Sequence, residues 1–160
     1  MKTCVFAGTF DPPTNGHIEV INKALEIFDK VVVGILINPD KTPFFTESER
    51  KFLLEKALKG KRVEVITYGG MLTDLLKEYD TNFYVRGVRN EVDYKYEKDM
   101  HEFNKARLKD LTTIFIQTTG DTALISSTNL RNLIKENKDF SGFVPQNIYE
   151  DIKNIIKTKG

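Results

Sequence analysis

The sequence predicts a single α/β domain over residues 1–160, built on a doubly wound parallel sheet of about five strands covered by helices. Short runs rich in β-branched and aromatic residues alternate with segments of helical periodicity, as in βαβ units. Several of the runs are almost continuously apolar, which is typical of strands buried on both faces. No repeat, low-complexity tract or linker divides the chain, so one domain is the simplest interpretation.

The first half of the chain is predicted to contain three strands and two helices. The runs TCVFA, KVVVGILI and VEVIT are the expected strands. Apolar residues at helical spacing between Ile18 and Phe28 predict a helix after the first strand. A capping box formed by Thr46 and Glu49 precedes RKFLLEKALKG, and Gly60 is a suitable stop, so a second helix should connect strands two and three.

The second half is predicted to contain two strands and four helices. A helix between Leu72 and Tyr79 is followed by the strand NFYVRG, and an amphipathic helix over residues 91–110 precedes the strand TTIFIQ. This long helix could cover the core or contact a neighbouring subunit. Residues 126–128 can cap a helix through NLRNLIKEN, and Pro145 can begin a last helix through QNIYEDIKNIIK.

Composition excludes several classes of partner and site. The 24 Lys and Arg residues and 23 Asp and Glu residues leave a formal charge of +1, too little for a broad nucleic-acid or membrane-binding surface. No apolar run reaches the roughly 20 residues of a membrane-spanning helix, and no secretory signal follows Lys2. The lone Cys4 lies in an apolar run and is expected to be a buried, inert thiol. We therefore expect a cytoplasmic location.

The stretch GTFDPPTNGH, residues 8–17, occupies the first βα turn, where ligands commonly bind in such sheets. Gly8 and Gly16 permit close backbone approach, Thr9 offers a hydroxyl, and the following helix directs free N–H groups at an anion. His17 could stabilise charge on a phosphate, or it could simply cap the helix. The P-loop and G-x-G-x-x-G patterns are absent, so phosphate binding requires another arrangement.

Two arginines flank Gly87 and Val88 in RGVR, directly after the fourth predicted strand. Arg86 and Arg89 should lie at the same sheet edge as the first turn, where guanidinium groups suit bidentate phosphate binding. The alternative is surface ion pairing with Glu91 or Asp93.

Four sequence blocks together resemble one family. GTFDPPTNGH, NPDKTPFFTESER, RGVRNEVDYKYE and ISSTNLR are similar to the HxGH/ISSTxxR nucleotidyltransferases, and particularly to the phosphopantetheine adenylyltransferases. In that branch threonine replaces the first histidine of HxGH, as Thr14 does here. The resemblance implies a Rossmann-like nucleotidyltransferase fold. It also implies adenylyl transfer from ATP to 4'-phosphopantetheine, giving dephospho-coenzyme A and pyrophosphate without a covalent enzyme intermediate.

The resemblance also implies roles for individual residues. His17 would stabilise the transition state, Lys41 would neutralise the acceptor phosphate, and Arg89 would take part in catalysis. Acceptor binding is assigned to Thr9, Lys41, Leu72 and Arg86. ATP binding is assigned to Thr9, Phe10, His17, Gly87, Val88, Arg89, Glu97, Thr122, Ala123, Leu124, Ile125, Ser126, Ser127 and Thr128.

The residues alone leave simpler alternatives open for some of these positions. Lys41 could be a solvated loop residue, Leu72 a core residue, and Glu97 an exposed helical carboxylate. Arg131 occupies the arginine position of ISSTxxR, with an undetermined role, and His101 is expected to be an ordinary helical residue.

Further expectations concern the cofactor, the assembly and rival functions. Mg²⁺ would bind chiefly through ATP phosphates, so no protein-only metal site is expected. The family assembles as a homohexamer and could bind coenzyme A as a feedback ligand. Rival functions are a nicotinate-mononucleotide adenylyltransferase, a cytidylyltransferase acting on a small phosphorylated alcohol, and a non-catalytic nucleotide sensor.

Overall fold

The structure, a computed structural model, describes residues 1–159. One sheet contains five parallel strands, namely β1 (Thr3–Gly8), β2 (Lys30–Leu36), β3 (Val63–Tyr68), β4 (Phe83–Val88) and β5 (Thr112–Gln117). The helices are α1 (Asn15–Ile27), α2 (Glu47–Ala57), α3 (Leu72–Glu78), α4 (Glu91–Lys105), α5 (Ser127–Lys135) and α6 (Gln146–Lys159). Short 3-10 turns lie at Gly120–Leu124 and Ser141–Phe143. The predicted fold class is confirmed.

The strand order β3-β2-β1-β4-β5 places the topological switch point between β1 and β4. β1 and β2 pair along six positions, from Thr3 with Lys30 to Gly8 with Ile35. In contrast, β1 and β4 pair only at Val5 with Tyr84 and at Phe6 with Val85. The two central strands therefore separate toward their carboxyl ends, and a crevice opens there.

Three apolar clusters hold the layers together. One packs α1 and α2 residues such as Ile21 and Leu54 against Val33 on the sheet. A second packs α3, through Leu75 and Leu76, on the opposite face. The third lies among α2, α5 and α6, beside the sheet. Burial of β1 and β2 on both faces explains their nearly continuous apolar sequences.

Several helix boundaries differ from the sequence expectation. α1 ends at Ile27, because Phe28 turns to an extended conformation and buries its ring in the core. The long helix ends at Lys105 instead of residue 110. At this end the carbonyl of Asn104 accepts hydrogen bonds from the N–H groups of both Arg107 and Leu108. Gly60 lies beyond the end of α2 with φ of +84°, a conformation that favours glycine.

The predicted helix starts agree with the structure. Thr46 and Glu49 form the expected capping box of α2, and Ser126 caps α5 by accepting a hydrogen bond from the Asn129 N–H. Pro145 directly precedes α6. Among residues 1–159, no helix is both long and apolar enough to cross a membrane.

Candidate active site

A cavity of about 280 Å³ opens where β1 and β4 separate. Its walls come from the β1–α1 turn, the end of β4, the start of α4 and the start of α5. The predicted site residues that line it are Thr9, Phe10, His17, Arg86, Gly87, Arg89, Glu97, Thr122, Ile125, Ser126 and Ser127. The structure thus brings together residues from four separate parts of the chain, although their roles in binding stay predictions.

His17 is held in one orientation by the start of α1. Its own N–H donates to Thr14 Oγ1 at 3.3 Å, and the Thr14 N–H donates to His17 Nδ1 at 3.0 Å. A backbone N–H can only donate, so Nδ1 must be the acceptor nitrogen of a neutral imidazole. The proton of that neutral ring then sits on Nε2, which is available as a hydrogen-bond donor. His17 therefore both caps the helix and contributes to the cavity.

The surroundings keep His17 neutral. Burial lowers its pKa from 6.5 to about 4, and the positive charges of Arg86 and Arg89 act in the same direction. Near neutral pH the ring therefore offers an N–H without carrying a charge of its own. Such a fixed donor can stabilise negative charge that develops on a phosphate oxygen.

Aromatic packing further restricts the imidazole. The Phe10 ring meets His17 edge-on with centroids 4.8 Å apart, and Phe6 packs edge-on against Phe10 at 5.5 Å. Phe10 has a φ of +53°, which is uncommon for a residue other than glycine. This backbone conformation accompanies the burial of the Phe10 ring between the sheet and His17. Strained backbone of this kind often occurs at functional sites.

Arg86 fills the gap that the separating strands leave. Its Nη1 donates to the carbonyl of Ala7 in β1, and its Nε and Nη2 donate to the two carboxylate oxygens of Glu97 at 2.8 and 2.7 Å. Burial opposes the charged form, but Tyr84 and Glu97 outweigh it and raise the pKa of Arg86. Glu97 is therefore a buried ion-pair partner, and the alternative of an exposed helical carboxylate is wrong.

Arg89 is more exposed and pairs within its own segment. Its Nε and Nη2 donate to Asp93 at 2.8 and 3.2 Å, and its Nη1 donates to the Ile125 carbonyl at 3.2 Å. Hydrogen bonding with Asp93 raises the pKa of Arg89 and lowers that of the carboxylate. The alternative pairing with Asp93 is thus present, and the same guanidinium still lines the cavity.

Gly87 has a packing reason that the sequence did not reveal. A Cβ at this position would lie 2.7 Å from Val20 Cγ2, closer than side-chain atoms normally approach. Glycine therefore lets α1 pack directly on β4. This contact brings the first turns of α1 close to Arg86 and Arg89, which flank Gly87 and Val88.

The start of α5 forms the wall beyond His17. Ser127 Oγ donates to the Pro12 carbonyl at 3.0 Å, which ties α5 to the first turn. Thr122 Oγ1 donates to Glu19 on α1 and so holds the preceding 3-10 turn against that helix. Gly16 and His17 in the first turn of α1 and Ser127 in the first turn of α5 line the same cavity. Helix N-termini at a cavity wall suit anions.

The remaining predicted residues do not line this cavity. They are Lys41, Leu72, Val88, Ala123, Leu124 and Thr128. Lys41 is exposed on the loop after β2, Leu72 packs against the cluster under α3, and the Leu124 side chain is exposed. Arg131 donates to the Thr128 hydroxyl and to the Asp11 carbonyl, so it braces the first turn.

Asp11 connects the loop that carries Lys41 to the site. Its buried carboxylate accepts hydrogen bonds from the N–H groups of Phe44 and Phe45, both at 2.8 Å. Arg50, also buried, donates to the carbonyls of Thr9 and Phe45. Sequence reasoning missed this network, because nothing in the pattern indicates which loop meets the first turn.

Sequence reasoning also missed Asp93 and Thr118 as lining residues. Thr118 directly follows β5, at the sheet edge where the predicted site residues lie. Its position after a strand could therefore have marked it as a lining residue. Among residues 1–159, no group of three or more His, Cys, Asp or Glu side chains is placed to hold a metal ion.

Comparison with known proteins identifies the fold and the family of this chain. A sequence profile of the cytidylyltransferase-like family matches residues 5–133. The solved structure of a bifunctional NMN adenylyltransferase/ADP ribose pyrophosphatase from Francisella tularensis, complexed with AMP and a Mn ion, superposes with a TM-score of 0.73 at 17% identity. The match covers 98% of this chain and 50% of that one, and it supports the fold.

Relatives of similar length are closer in sequence. The phosphopantetheine adenylyltransferase of Clostridium tetani is 39% identical over 95% of this chain and 96% of its own. That of Helicobacter pylori is 38% identical over 96% and 99%, and that of Streptococcus pneumoniae is 39% identical over 96% of both chains. Because these matches span nearly the whole sequence, the chain belongs to the phosphopantetheine adenylyltransferase family of cytidylyltransferase-like proteins.

Proposed function

We propose that this protein transfers the adenylyl group of ATP to 4'-phosphopantetheine, giving dephospho-coenzyme A and pyrophosphate in coenzyme A biosynthesis. The observation that carries the proposal is the near full-length similarity to relatives named for this activity. The cavity is consistent with it, since a neutral histidine, two arginines and two helix N-termini surround a space suited to phosphate groups.

The reaction needs no protein nucleophile. A phosphate oxygen of the acceptor attacks the α-phosphorus of ATP, and the bond from that phosphorus to the oxygen of pyrophosphate breaks. The protein then contributes positioning and charge stabilisation. Cys4 cannot serve as a nucleophile, because burial raises its pKa to about 12 and keeps the thiol protonated.

Each residue near the reacting groups has a distinct task in this mechanism. His17 Nε2–H donates to an α-phosphate oxygen, where negative charge increases during transfer. Arg86 and Arg89 contribute positive charge beside the phosphates, and Thr9 orients the acceptor. Lys41 lies on the loop that Asp11 anchors and would neutralise the acceptor phosphate, as the family resemblance implies. By the same resemblance, Leu72 would contact the pantetheine arm.

Mg²⁺ would accompany ATP as the counter-ion of its phosphates. The two carboxylates that line the cavity, Asp93 and Glu97, are both paired with arginines. These residues fit an ion held chiefly by phosphate oxygens and water, where it would neutralise charge on the phosphates. The proposal further includes a cytoplasmic homohexamer that could bind coenzyme A as a feedback ligand.

Product identification tests the proposed function. Purified protein is incubated with ATP, Mg²⁺ and either 4'-phosphopantetheine or nicotinate mononucleotide, and products are identified by mass spectrometry while pyrophosphate is quantified. Dephospho-coenzyme A is the expected product. The nicotinate dinucleotide would show a different acceptor, and nucleotide binding without pyrophosphate would favour a sensor.

Matched histidine variants provide the control for this assay. His17→Ala should abolish most of the turnover. His101→Ala alters the other histidine, which lies on α4 with Nδ1 2.7 Å from Thr113 Oγ1, and it should leave turnover near the wild-type rate. Equal loss in the two variants would contradict the site assignment.

A further inference from the structure

The hydroxyl of Thr118 has no assigned task and no partner in the protein. Within residues 1–159, Thr118 Oγ1 is the one buried side-chain nitrogen or oxygen atom without a hydrogen bond. The residue is only 4% exposed and lines the cavity of the candidate active site. In contrast, the buried carboxylates of Asp11 and Glu97 accept hydrogen bonds at both of their oxygens.

The position of Thr118 is fixed by the sheet. Its N–H donates to the Val88 carbonyl at 3.0 Å and extends the pairing of β5 with β4 by one residue. The hydroxyl is therefore carried on a rigid element and not on a mobile loop tip. A rigid position is what a specific ligand contact requires.

An unpartnered buried hydroxyl is unfavourable. Leaving such a group unsatisfied costs about 1–3 kcal/mol, and valine would fill the same space without that penalty. More than about nine in ten buried polar groups in proteins have a hydrogen-bond partner. Thr118 lines a ligand cavity and its hydroxyl is unpaired, so a ligand group is the candidate for the missing partner.

The surroundings indicate which part of a nucleotide this partner is. Phosphate groups are matched by His17, Arg86 and the helix N-termini. Thr118 instead lies next to Val88, through its N–H bond to the Val88 carbonyl. Arg89 follows Val88, and its guanidinium donates to the carbonyl of buried Ile125. Apolar side chains and backbone with a single hydroxyl suit a nucleobase, whose faces are apolar and whose edge carries donors and acceptors.

We propose that Thr118 Oγ1 hydrogen-bonds the polar edge of the adenine base of bound ATP and is a nucleotide-binding residue of this site. The proposal rests on the proposed function in that the nucleotide is ATP. A threonine hydroxyl can both donate and accept, so the contact strengthens binding of the base without requiring one particular edge group.

Calorimetric titration of three variants with ATP tests the proposal. Thr118→Val removes the hydroxyl and preserves the shape, and Thr118→Ser retains the hydroxyl. Thr119→Val makes the same chemical change at the exposed neighbouring residue. We expect Thr118→Val to weaken ATP binding about 3- to 10-fold, the effect of one hydrogen bond. Thr118→Ser and Thr119→Val should bind ATP as the wild type does.

Three further ligands locate the contact. The loss of affinity in Thr118→Val should also be found with 2'-deoxy-ATP and 3'-deoxy-ATP, and it should be absent with inorganic tripolyphosphate. A loss that disappears with either deoxynucleotide assigns the hydroxyl to the sugar and overturns the proposal. A loss with tripolyphosphate assigns it to the phosphates, and unchanged ATP affinity removes Thr118 from the site.

The two proposals fail in different ways. If wild-type protein forms no dephospho-coenzyme A but the Thr118→Val pattern appears with ATP, the base contact stands and the acceptor assignment is wrong. If wild-type turnover is present and Thr118→Val binds ATP normally, the proposed function stands and the base contact is wrong.

Discussion

The neutral state of His17 can be tested by titrating the free protein. Burial and the two nearby arginines lower its pKa from 6.5 to about 4, which corresponds to about 3 kcal/mol against the charged ring. The folded protein therefore resists protonation that the unfolded chain accepts below pH 6.5. Stability from this residue is fully present above pH 6.5 and is lost as pH falls toward 4.

The size of the effect at an accessible pH follows from these two values. At pH 5 nearly all unfolded chains carry a protonated His17, whereas most folded chains do not. The expected loss of unfolding free energy between pH 7.5 and pH 5 from this residue is about 2 kcal/mol. Other groups also titrate in this range, so His17→Gln provides the reference from which the contribution is taken.

Two measurements check this prediction. Urea unfolding at both pH values should show a fall in stability about 2 kcal/mol larger for wild type than for His17→Gln. In a His101→Gln background, NMR of the remaining imidazole should give a midpoint near 4 and the Nε2–H tautomer above it. A midpoint near 6.5, or the same pH dependence in both proteins, would refute the argument.

Three substitutions test other parts of the site. His17→Ala should lower kcat by about 100-fold or more with a smaller change in ATP affinity, measured by pyrophosphate release and calorimetry; near-normal kcat would remove its catalytic role. Asp11→Asn places an amide donor against the N–H groups of residues 44–45. Urea unfolding should therefore show a loss of about 1–3 kcal/mol in unfolding free energy, and the KM for the acceptor should rise. Unchanged values would show that Asp11 does not anchor this loop. Gly87→Ala should destabilise by about 1–3 kcal/mol through contact with Val20, and Val20→Ala in the same chain should restore much of the loss; additive losses would contradict this cause.

Most of the fold was predictable from local pattern. Apolar runs with β-branched residues predicted the five strands, because parallel strands covered on both faces need apolar side chains at nearly every position. The first turn and RGVR were expected at one edge, since parallel strands share the direction of their carboxyl ends. Helix ends were less predictable. Phe28 leaves α1 to fill the core, which is a tertiary effect.

The site was predicted only in part, because its pairings join distant segments. Glu97 looks like a surface carboxylate from its helix alone and becomes buried only because Arg86 inserts from β4. Asp11 shows no sign of its partners in the Lys41 loop, and Thr118 is an ordinary threonine until its lack of a hydrogen bond is known. Local periodicity carries no information about such contacts.

The bracing of the first turn by α5 has a consequence for folding order. Pro12 and Asp11 receive hydrogen bonds from Ser127 and Arg131, which lie 115 and 120 residues further along the chain. Contacts of such sequence separation form only after a large loop has closed. During synthesis, β1 and α1 can therefore pack with β2 early, whereas the turn between β1 and α1 acquires its final support only after α5 has been made.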